Sequence, residues 1–522
     1  MNYLKIAKAT ELSGRDRTKY RLLEMLPGFL SVGTLLILIV FSFVKPVWVA
    51  YFLIAFNVYY VLLVVFLAIY LITSYLKFRE NKKIDWLKKC EEMGLKKDSL
   101  PESCLYLKGT NWKDLIHLII LPTYNEDLGI IKTCFQGLVD NKYPLDKMIV
   151  VLAIEERAGE AAIERAKSIE KEFAHYFRNF LISSHPDNIE GELKGKGANQ
   201  SFAGKLVKKE IIDKEGLDYE KIMVSVFDID TVALPGYFYC LSYHFLTTVN
   251  PHRASYQPVP VYHNNIWSTP FFARVSAGSN TFWQMMQQIR PEKLATYSSH
   301  SMPFKALADI GFWSTNMVSE DSRIFWHCFL HYNGDYRVEP LYFPVSMDAT
   351  CDCNAIETAK SLYKQQRRWA WGSENIPYLL FNVSKRWSKM DKKKTLRHIW
   401  IQVYGFHSWA TTALIIGVIG WFPIIFGGNS FNESVIFLNL PNITQKLMTM
   451  GMVGLVISSL MASILLPKRP KNFSFFDNCK LIVEWIFIPV SVIVFGAIPC
   501  LDAQIRLMMG KYMGFWVTPK NR

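Results

Sequence analysis

Charge is scarce in this chain, and cysteine follows no pattern. Only 20% of the 522 residues are charged and 50% are hydrophobic, with a mean hydropathy of +0.11. Soluble domains usually carry about 25% charge. This balance points to a membrane protein, and the formal net charge of +14 excludes an acidic, solvating, disordered chain. The nine cysteines are odd in number and scattered, without a CxxC pair. That argues against a disulfide framework or a zinc site, and leaves Cys351 and Cys353 as the one close pair. An aromatic content of 14% excludes a low-complexity linker.

What the chain does have is long charge-free runs. Residues 25–44 and 46–76 hold no charged side chain, and Lys45 alone separates them. About 20 apolar residues cross a bilayer, so 25–76 is expected to be a transmembrane hairpin turning at Lys45-Pro46. It is too long for a signal peptide and is followed at once by a second run. Runs at 399–431 and 447–467 predict two more spans within 396–467, with a loop over 429–442. Lys and Arg cluster at Arg15–Arg21, Lys77–Lys89 and Lys385–Arg397. The positive-inside rule makes these flanks cytoplasmic. The expectation is a multi-pass protein of the plasma or inner membrane, with segment 1–24 and a domain over 77–395 in the cytosol. The basic clusters suit anionic headgroups of the lipid bilayer, and no nucleic-acid partner is expected. The last apolar run, 485–501, has only 17 residues, holds two prolines and ends at Asp502. Segment 468–514 therefore reads as interfacial or re-entrant rather than as a fifth span.

Inside 77–395, runs at 117–122, 148–154, 179–183 and 222–227 read as buried strands. Amphipathic helices are expected between them, near 128–139, 159–175 and 198–214. This alternation predicts an α/β fold with a mostly parallel sheet, whose ligands bind at the carboxyl ends of the strands. Those ends carry Pro122-Thr123-Tyr124-Asn125-Glu126, then Glu155-Glu156-Arg157, then Asp228-Ile229-Asp230. Alone, the two aspartates fit a cap or an Asx-turn; three carboxylate-bearing ends in one domain point to a site. Two apart in an extended backbone, Asp228 and Asp230 would face one side and suit a hard divalent cation completed by phosphates. Ser319-Glu320-Asp321 opens a helical stretch, with Ser319 as the expected N-cap. Gln365, Arg368 and Trp369 share one face of an amphipathic helix over 355–381. An amide, a guanidinium and an indole there suit a pyrophosphate and a stacked sugar.

The order PTYNE, DxD, xED and QxxRW between transmembrane helices resembles the processive family-2 glycosyltransferases, the group of cellulose, hyaluronan and chitin synthases. Lys196-Gly197-Ala198-Asn199 resembles their loop beside the nucleotide. Phe515-Trp516-Val517-Thr518-Pro519-Lys520 fits the FxVTxK gating motif, here a tail over 515–522. The resemblance implies a GT-A-like, Rossmann-like cytosolic domain flanked by transmembrane helices, and an inverting, metal-dependent hexosyltransferase. Its donor would be a UDP-sugar, its acceptor a growing glycan, and its cofactor Mg²⁺ or Mn²⁺. The resemblance further implies that Thr123, Tyr124, Glu126, Glu155, Glu156, Lys196, Asp228, Gln365, Arg368, Thr518 and Lys520 hold the nucleotide-sugar. Asp230 with Asp228 would bind the metal, Asp321 beside Glu320 would supply base catalysis, and Trp369 would floor the acceptor site. Elongation and probable translocation of a polysaccharide is the leading expectation; single-sugar transfer to a lipid or lipid-linked acceptor is the alternative. Accessory export proteins are not specified. Departures from the family pattern are Glu155-Glu156, Ser319, and Tyr297-Ser298-Ser299-His300-Ser301, which is not the cellulose synthase sequence. No further transmembrane pair and no cyclic-dinucleotide domain is expected after Lys520.

Overall fold

Runs of Val, Ile and Leu build the centre of one sheet. A computed structural model describes residues 3–95, 110–469 and 474–521. Strands β1 (Ile116–Pro122), β2 (Met148–Glu155) and β4 (Ile222–Val226) are buried along their whole length. With β3 (Asn179–His185) they pair in parallel in the order β3-β2-β1-β4. Successive side chains point to opposite faces. Leu118, Ile120, Ile149, Val151 and Val224 therefore enter one core, while Ile119, Leu121, Val150, Leu152 and Met223 enter the other. Helices Leu128–Val139, Glu160–Phe173 and Lys196–Val207 make the connections. Asp127 caps the first of them by accepting the Gly129 N–H at 2.7 Å.

Four further strands extend the sheet beyond the sequence expectation: β5 (Val232–Ala233), β6 (Ala254–Val261), β7 (Ser301–Pro303) and β8 (Arg337–Ser346). They continue from β4 as β7-β6-β8-β5, with β7 antiparallel to both neighbours and β6 parallel to β8. Proline lacks a ladder donor, and β6 and β8 hold Pro258, Pro260, Pro340 and Pro344. The register slips between Gln257 and Val259.

Among the described residues, four helices are long and apolar enough to cross a membrane, five if a bent pair counts as one span. Lys45 ends helix Gly14–Val44 and Pro46 opens Pro46–Asn81. The first helix therefore begins well before residue 25, and its basic first turns are helical. Residues ahead of it pack on the central domain: the Tyr378 hydroxyl bonds the Leu4 carbonyl at 2.9 Å and Arg323 bonds that of Ile6 at 3.2 Å. Lys392–Gly417 and Ile419–Phe426 form the pair, bent by 42°. Val435–Leu465 is one helix, so most of the expected 429–442 loop is helical. The helix expected over 355–381 is two, Ala355–Ala370 and Asn375–Arg386, joined by a tight turn at Trp371–Glu374. Helix Ile488–Met508 is 21 residues long and runs past Asp502. Ion pairs tie this segment to the central domain, Glu484–Arg274 at 2.7 Å just ahead of the helix and Asp502–Arg367 at 2.9 Å within it.

Candidate active site

Lys196 is the first residue of its helix, and its neighbour Gly197 lets that helix approach closely. A Cβ at Gly197 would meet the Ser314 carbonyl oxygen at 2.9 Å and Glu320 Cβ at 3.1 Å. The Lys196 ammonium lies 2.7 Å from Asp228 Oδ1 and 2.8 Å from Asp321 Oδ2. Burial acts to lower its pKa, but Asp228 and Asp321 outweigh burial and hold it above the ordinary lysine range. Asp228 also accepts the Ser298 hydroxyl at 2.6 Å. Burial acts to raise this carboxyl, yet Lys196 and Lys520 hold it below the usual carboxylate range.

The two aspartates of the DxD motif are not extended, as the alternation argument required. A turn closed by Thr231 N–H to the Asp228 carbonyl at 2.7 Å carries them, because β4 has already ended. Asp230 consequently takes different partners, the Asp348 N–H at 2.9 Å and the Lys520 ammonium at 2.5 Å. Burial pushes its carboxyl up to about 6 against the pull of Lys520, and Asp348 and Asp228 add to the rise.

Glu320 and Asp321 open helix Glu320–His331. Glu320 is buried, and burial followed by the charge of Asp321 raises its carboxyl to about 8. Ser319 does not cap this helix. Its hydroxyl and N–H instead bond Glu374 Oε1 at 2.7 and 3.2 Å, and Trp371 Nε1 donates to Glu374 Oε2 at 3.0 Å. The turn at Trp371–Glu374 thereby braces the helix that bears Asp321.

On the other side of the site, Glu126 holds its own loop. Its Oε2 accepts the Thr123 hydroxyl and the Tyr124 N–H, each at 2.8 Å. The Tyr124 ring lies 4.4 Å from the Arg157 guanidinium, which bonds Glu155 at 2.5 Å. Glu156 accepts the Asp187 N–H at 3.2 Å. A cleft of ≈ 240 Å³ adjoins these groups, lined by Glu155, Arg157, His185, Asp187, Glu192 and Lys194 among others.

The C-terminal tail closes over the centre. Phe515 packs so tightly on Gly195 that a Cβ there would lie 2.6 Å from the ring, and the Arg368 guanidinium lies 5.1 Å from that ring's centre. Lys364 sits 5.2 Å from the Trp516 ring. Lys520 bridges Cys351 as a short parallel strand contact, and the Thr518 hydroxyl is buried without a hydrogen-bond partner among the described residues. Gln365 turns inward, its Oε1 accepting the Thr350 hydroxyl at 2.7 Å. Trp369 is half-buried on the same helix.

Lys196, Asp228, Asp230, Asp321 and Lys520 thus form one ion-paired cluster with Glu320 beside it. Tyr124 and Glu155 belong to a neighbouring group organised by Arg157. Ser298, Asp348, Arg157 and Glu374 were not among the expected site residues. Asp348 stands just past the carboxyl end of β8, where the strand-end rule would have found it had β8 been legible. Asp228 and Asp230 supply the hard oxygen donors that Mg²⁺ or Mn²⁺ takes, and each already sits against a cation. No group of three or more His, Cys, Asp or Glu suited to a metal exists among the described residues. A cation here would need substrate oxygens to complete its shell.

A mostly parallel α/β sheet with a DxD turn and a facing acid pair at its strand ends defines a GT-A-like glycosyltransferase domain. The sequence family described as glycosyl transferase family group 2 matches residues 223–464, and over that stretch the chain is similar to the family-2 glycosyltransferases. It is 38% identical over 71 residues to the poly-beta-1,6-N-acetyl-D-glucosamine synthase of Staphylococcus aureus, 14% of this chain and 15% of that one. The Staphylococcus epidermidis synthase of the same name is 34% identical over 94 residues, 18% and 20% of the two chains. These matches therefore span a fifth or less of the curated relatives' length. Among solved structures, a mannosyltransferase from Pyrobaculum calidifontis aligns with TM-score 0.39 and 13% identity, over 79% of this chain and 99% of its own.

Proposed function

We propose that this protein is a membrane-embedded, inverting glycosyltransferase that uses a UDP-sugar to elongate a polysaccharide and passes the product through its own helices. One observation carries the reading. Lys196 joins Asp228 and Asp321, residues from three separate parts of the chain, through contacts of 2.7 and 2.8 Å. This puts the phosphate-side acid, a cation and the acceptor-side acid within one side chain's reach.

In this scheme the donor diphosphate draws Lys196 away from Asp321, which frees that carboxylate to take the proton of the acceptor hydroxyl. The acceptor oxygen attacks the anomeric carbon in line, the bond to the diphosphate breaks, and UDP leaves. Arg368 and Lys196 supply fixed positive charge where negative charge develops. Mg²⁺ or Mn²⁺ held by Asp230 and Asp228 would neutralise further charge on the departing diphosphate. Tyr124 and the Glu155–Arg157 pair would contact the nucleoside, and Trp369 would support the acceptor sugar. The tail, with Thr518 and Lys520, would cover the donor and exclude water.

Polar side chains between the long helices support passage of a glycan. Thr34 lies 3.0 Å from His407 Nε2, and the Tyr60 hydroxyl lies 2.8 Å from Ser408 and 2.5 Å from Thr412. Polar groups at such positions mark substrate paths in membrane proteins. The basic flanks favour a cytoplasmic catalytic domain. The ion pairs of Glu484, just ahead of Ile488–Met508, and of Asp502, within it, favour a re-entrant course for that helix. UDP-N-acetylglucosamine is the first donor to test, since the matched relatives are named for a polymer of that sugar. The purified protein in lipid should convert one labelled UDP-sugar into long chains early in the reaction. A product one sugar longer than a lipid acceptor would replace the processive reading with single-sugar transfer.

A further inference from the structure

The root of the tail is fastened to the base of the first long helix. Arg21 donates to the Leu507 carbonyl at 2.9 Å and to that of Met508, the last turn of helix Ile488–Met508. The two helices touch closely enough that a Cβ at Gly28 would meet the Gln504 carbonyl oxygen at 2.7 Å. Gly510, with φ at +70°, then turns the chain beside the Arg21 guanidinium; glycine adopts that conformation without strain. Two residues later the Tyr512 hydroxyl lies 2.8 and 3.0 Å from the two carboxylate oxygens of Glu24.

Glu24 is only 1% exposed. It also takes the Arg21 guanidinium at 2.7 Å and the Ala9 N–H at 3.0 Å. Lys8 lies 5.5 Å from the centre of the Tyr512 ring. A buried carboxylate needs such partners, and of these only the Tyr512 hydroxyl comes from the tail side. The six residue steps from Tyr512 to Thr518 can extend by at most about 22 Å, at roughly 3.3–3.6 Å each. Where Tyr512 is fixed therefore sets what Thr518 and Lys520 can reach.

We infer that Glu24 and Tyr512 form a positioning anchor that registers the tail, so that Thr518 and Lys520 close on a bound nucleoside diphosphate. The inference rests on reading Phe515–Lys520 as a cover for the donor. Neither anchor residue touches the reacting atoms; both act through the tail. The N-terminal segment belongs to the same device, because Ala9 and Lys8 hold the Glu24–Tyr512 pair from its other side.

Tyr512→Phe keeps the ring and the Lys8 contact and removes only the hydroxyl. A hydrogen bond to a charged group is lost, so the apparent KM for UDP-sugar should rise about tenfold, with kcat at saturating donor within about twofold of wild type. Glu24→Gln retains an acceptor oxygen and should lose less than Glu24→Ala. Spin labels at Asn521→Cys and Glu164→Cys, with Cys104, Cys353 and Cys479 replaced by serine, report tail docking independently of turnover. With UDP and Mg²⁺ the otherwise native protein should give one narrow distance, and Tyr512→Phe a broadened one. An unchanged KM and an unchanged narrow distance in Tyr512→Phe would overturn the anchor, as would a fall in kcat and Tm with KM unaltered. If no UDP-sugar is transferred while the distances behave as described, the anchor stands and the proposed function falls.

Discussion

Replacing Lys196 with methionine removes the one cation shared by Asp228 and Asp321 while keeping most of the side-chain volume. Lys196 is 11% exposed, and the two aspartates are 25% and 22% exposed. Deleting one partner of a buried ion pair costs about 3–5 kcal/mol. Partial exposure of the carboxylates puts this case at the lower end, about 3 kcal/mol, or roughly 4–5 °C in apparent Tm for a domain of about 320 residues. The pH dependence is more diagnostic than the size. In the native protein Asp228 lies below its ordinary pKa, so its contribution is present at neutral pH and is lost only as pH falls below the carboxylate range. Without Lys196, burial, which is the largest influence on Asp228, is opposed only by Lys520 and the Ser298 hydroxyl, and its pKa rises. The folded variant then binds protons more readily than the unfolded chain, and acid relieves it. Thermal unfolding in detergent and EDTA should show the largest Tm gap at pH 7–8 and a narrower gap at pH 5. A gap of under 2 °C, or one that does not change with pH, would mean that Lys196 does not pair with these acids.

Asp230→Asn should abolish UDP release, and EDTA should do so reversibly, with circular dichroism unchanged; full activity in EDTA would remove the metal role. Truncation after Gly514 should leave membrane insertion intact but free Asp230 of Lys520, raising the UDP dissociation constant and slowing transfer at least tenfold, about the worth of one charged hydrogen bond. An unchanged rate would make the tail a bystander. A cysteine reporter at Glu433, in the turn before Val435–Leu465, should label from outside the cell and one at Asn521 only after permeabilisation. The reverse pattern at Asn521 would make Ile488–Met508 a span.

The centre of the fold was legible in the sequence for a physical reason. β1, β2 and β4 are covered on both faces and so read as unbroken apolar runs, and the motifs follow directly at their carboxyl ends. β6 and β8 were not legible because Pro258, Pro260, Pro340 and Pro344 argue against strand at each position, and only the paired partner reveals the register. With β8 hidden, Asp348 was hidden too. Ser319 has the look of a cap because local rules know nothing of Glu374, which reaches it from the distant turn Trp371–Glu374. The ion pair of Asp230 with Lys520 joins residues far apart in the chain, and no spacing rule could propose it. The early start of helix Gly14–Val44 was not legible because Arg15–Arg21 break the apolar run; its first turns are mostly exposed, and only Tyr20 and Glu24 are buried there.

Asp321 takes the acceptor's proton, in the proposed reaction, at the centre that Lys196 organises. The direct measurement is UDP release by the purified protein in lipid, supplied with UDP-N-acetylglucosamine and Mg²⁺, for wild type and Asp321→Asn, with UDP binding measured on both. An amide of the same shape cannot accept the proton, so release should fall by about 10²–10⁴-fold while UDP affinity stays within about threefold, since Asp228 and Asp230 remain to hold the nucleotide side. Release by Asp321→Asn within threefold of wild type would contradict the assignment of this cluster as the transfer centre.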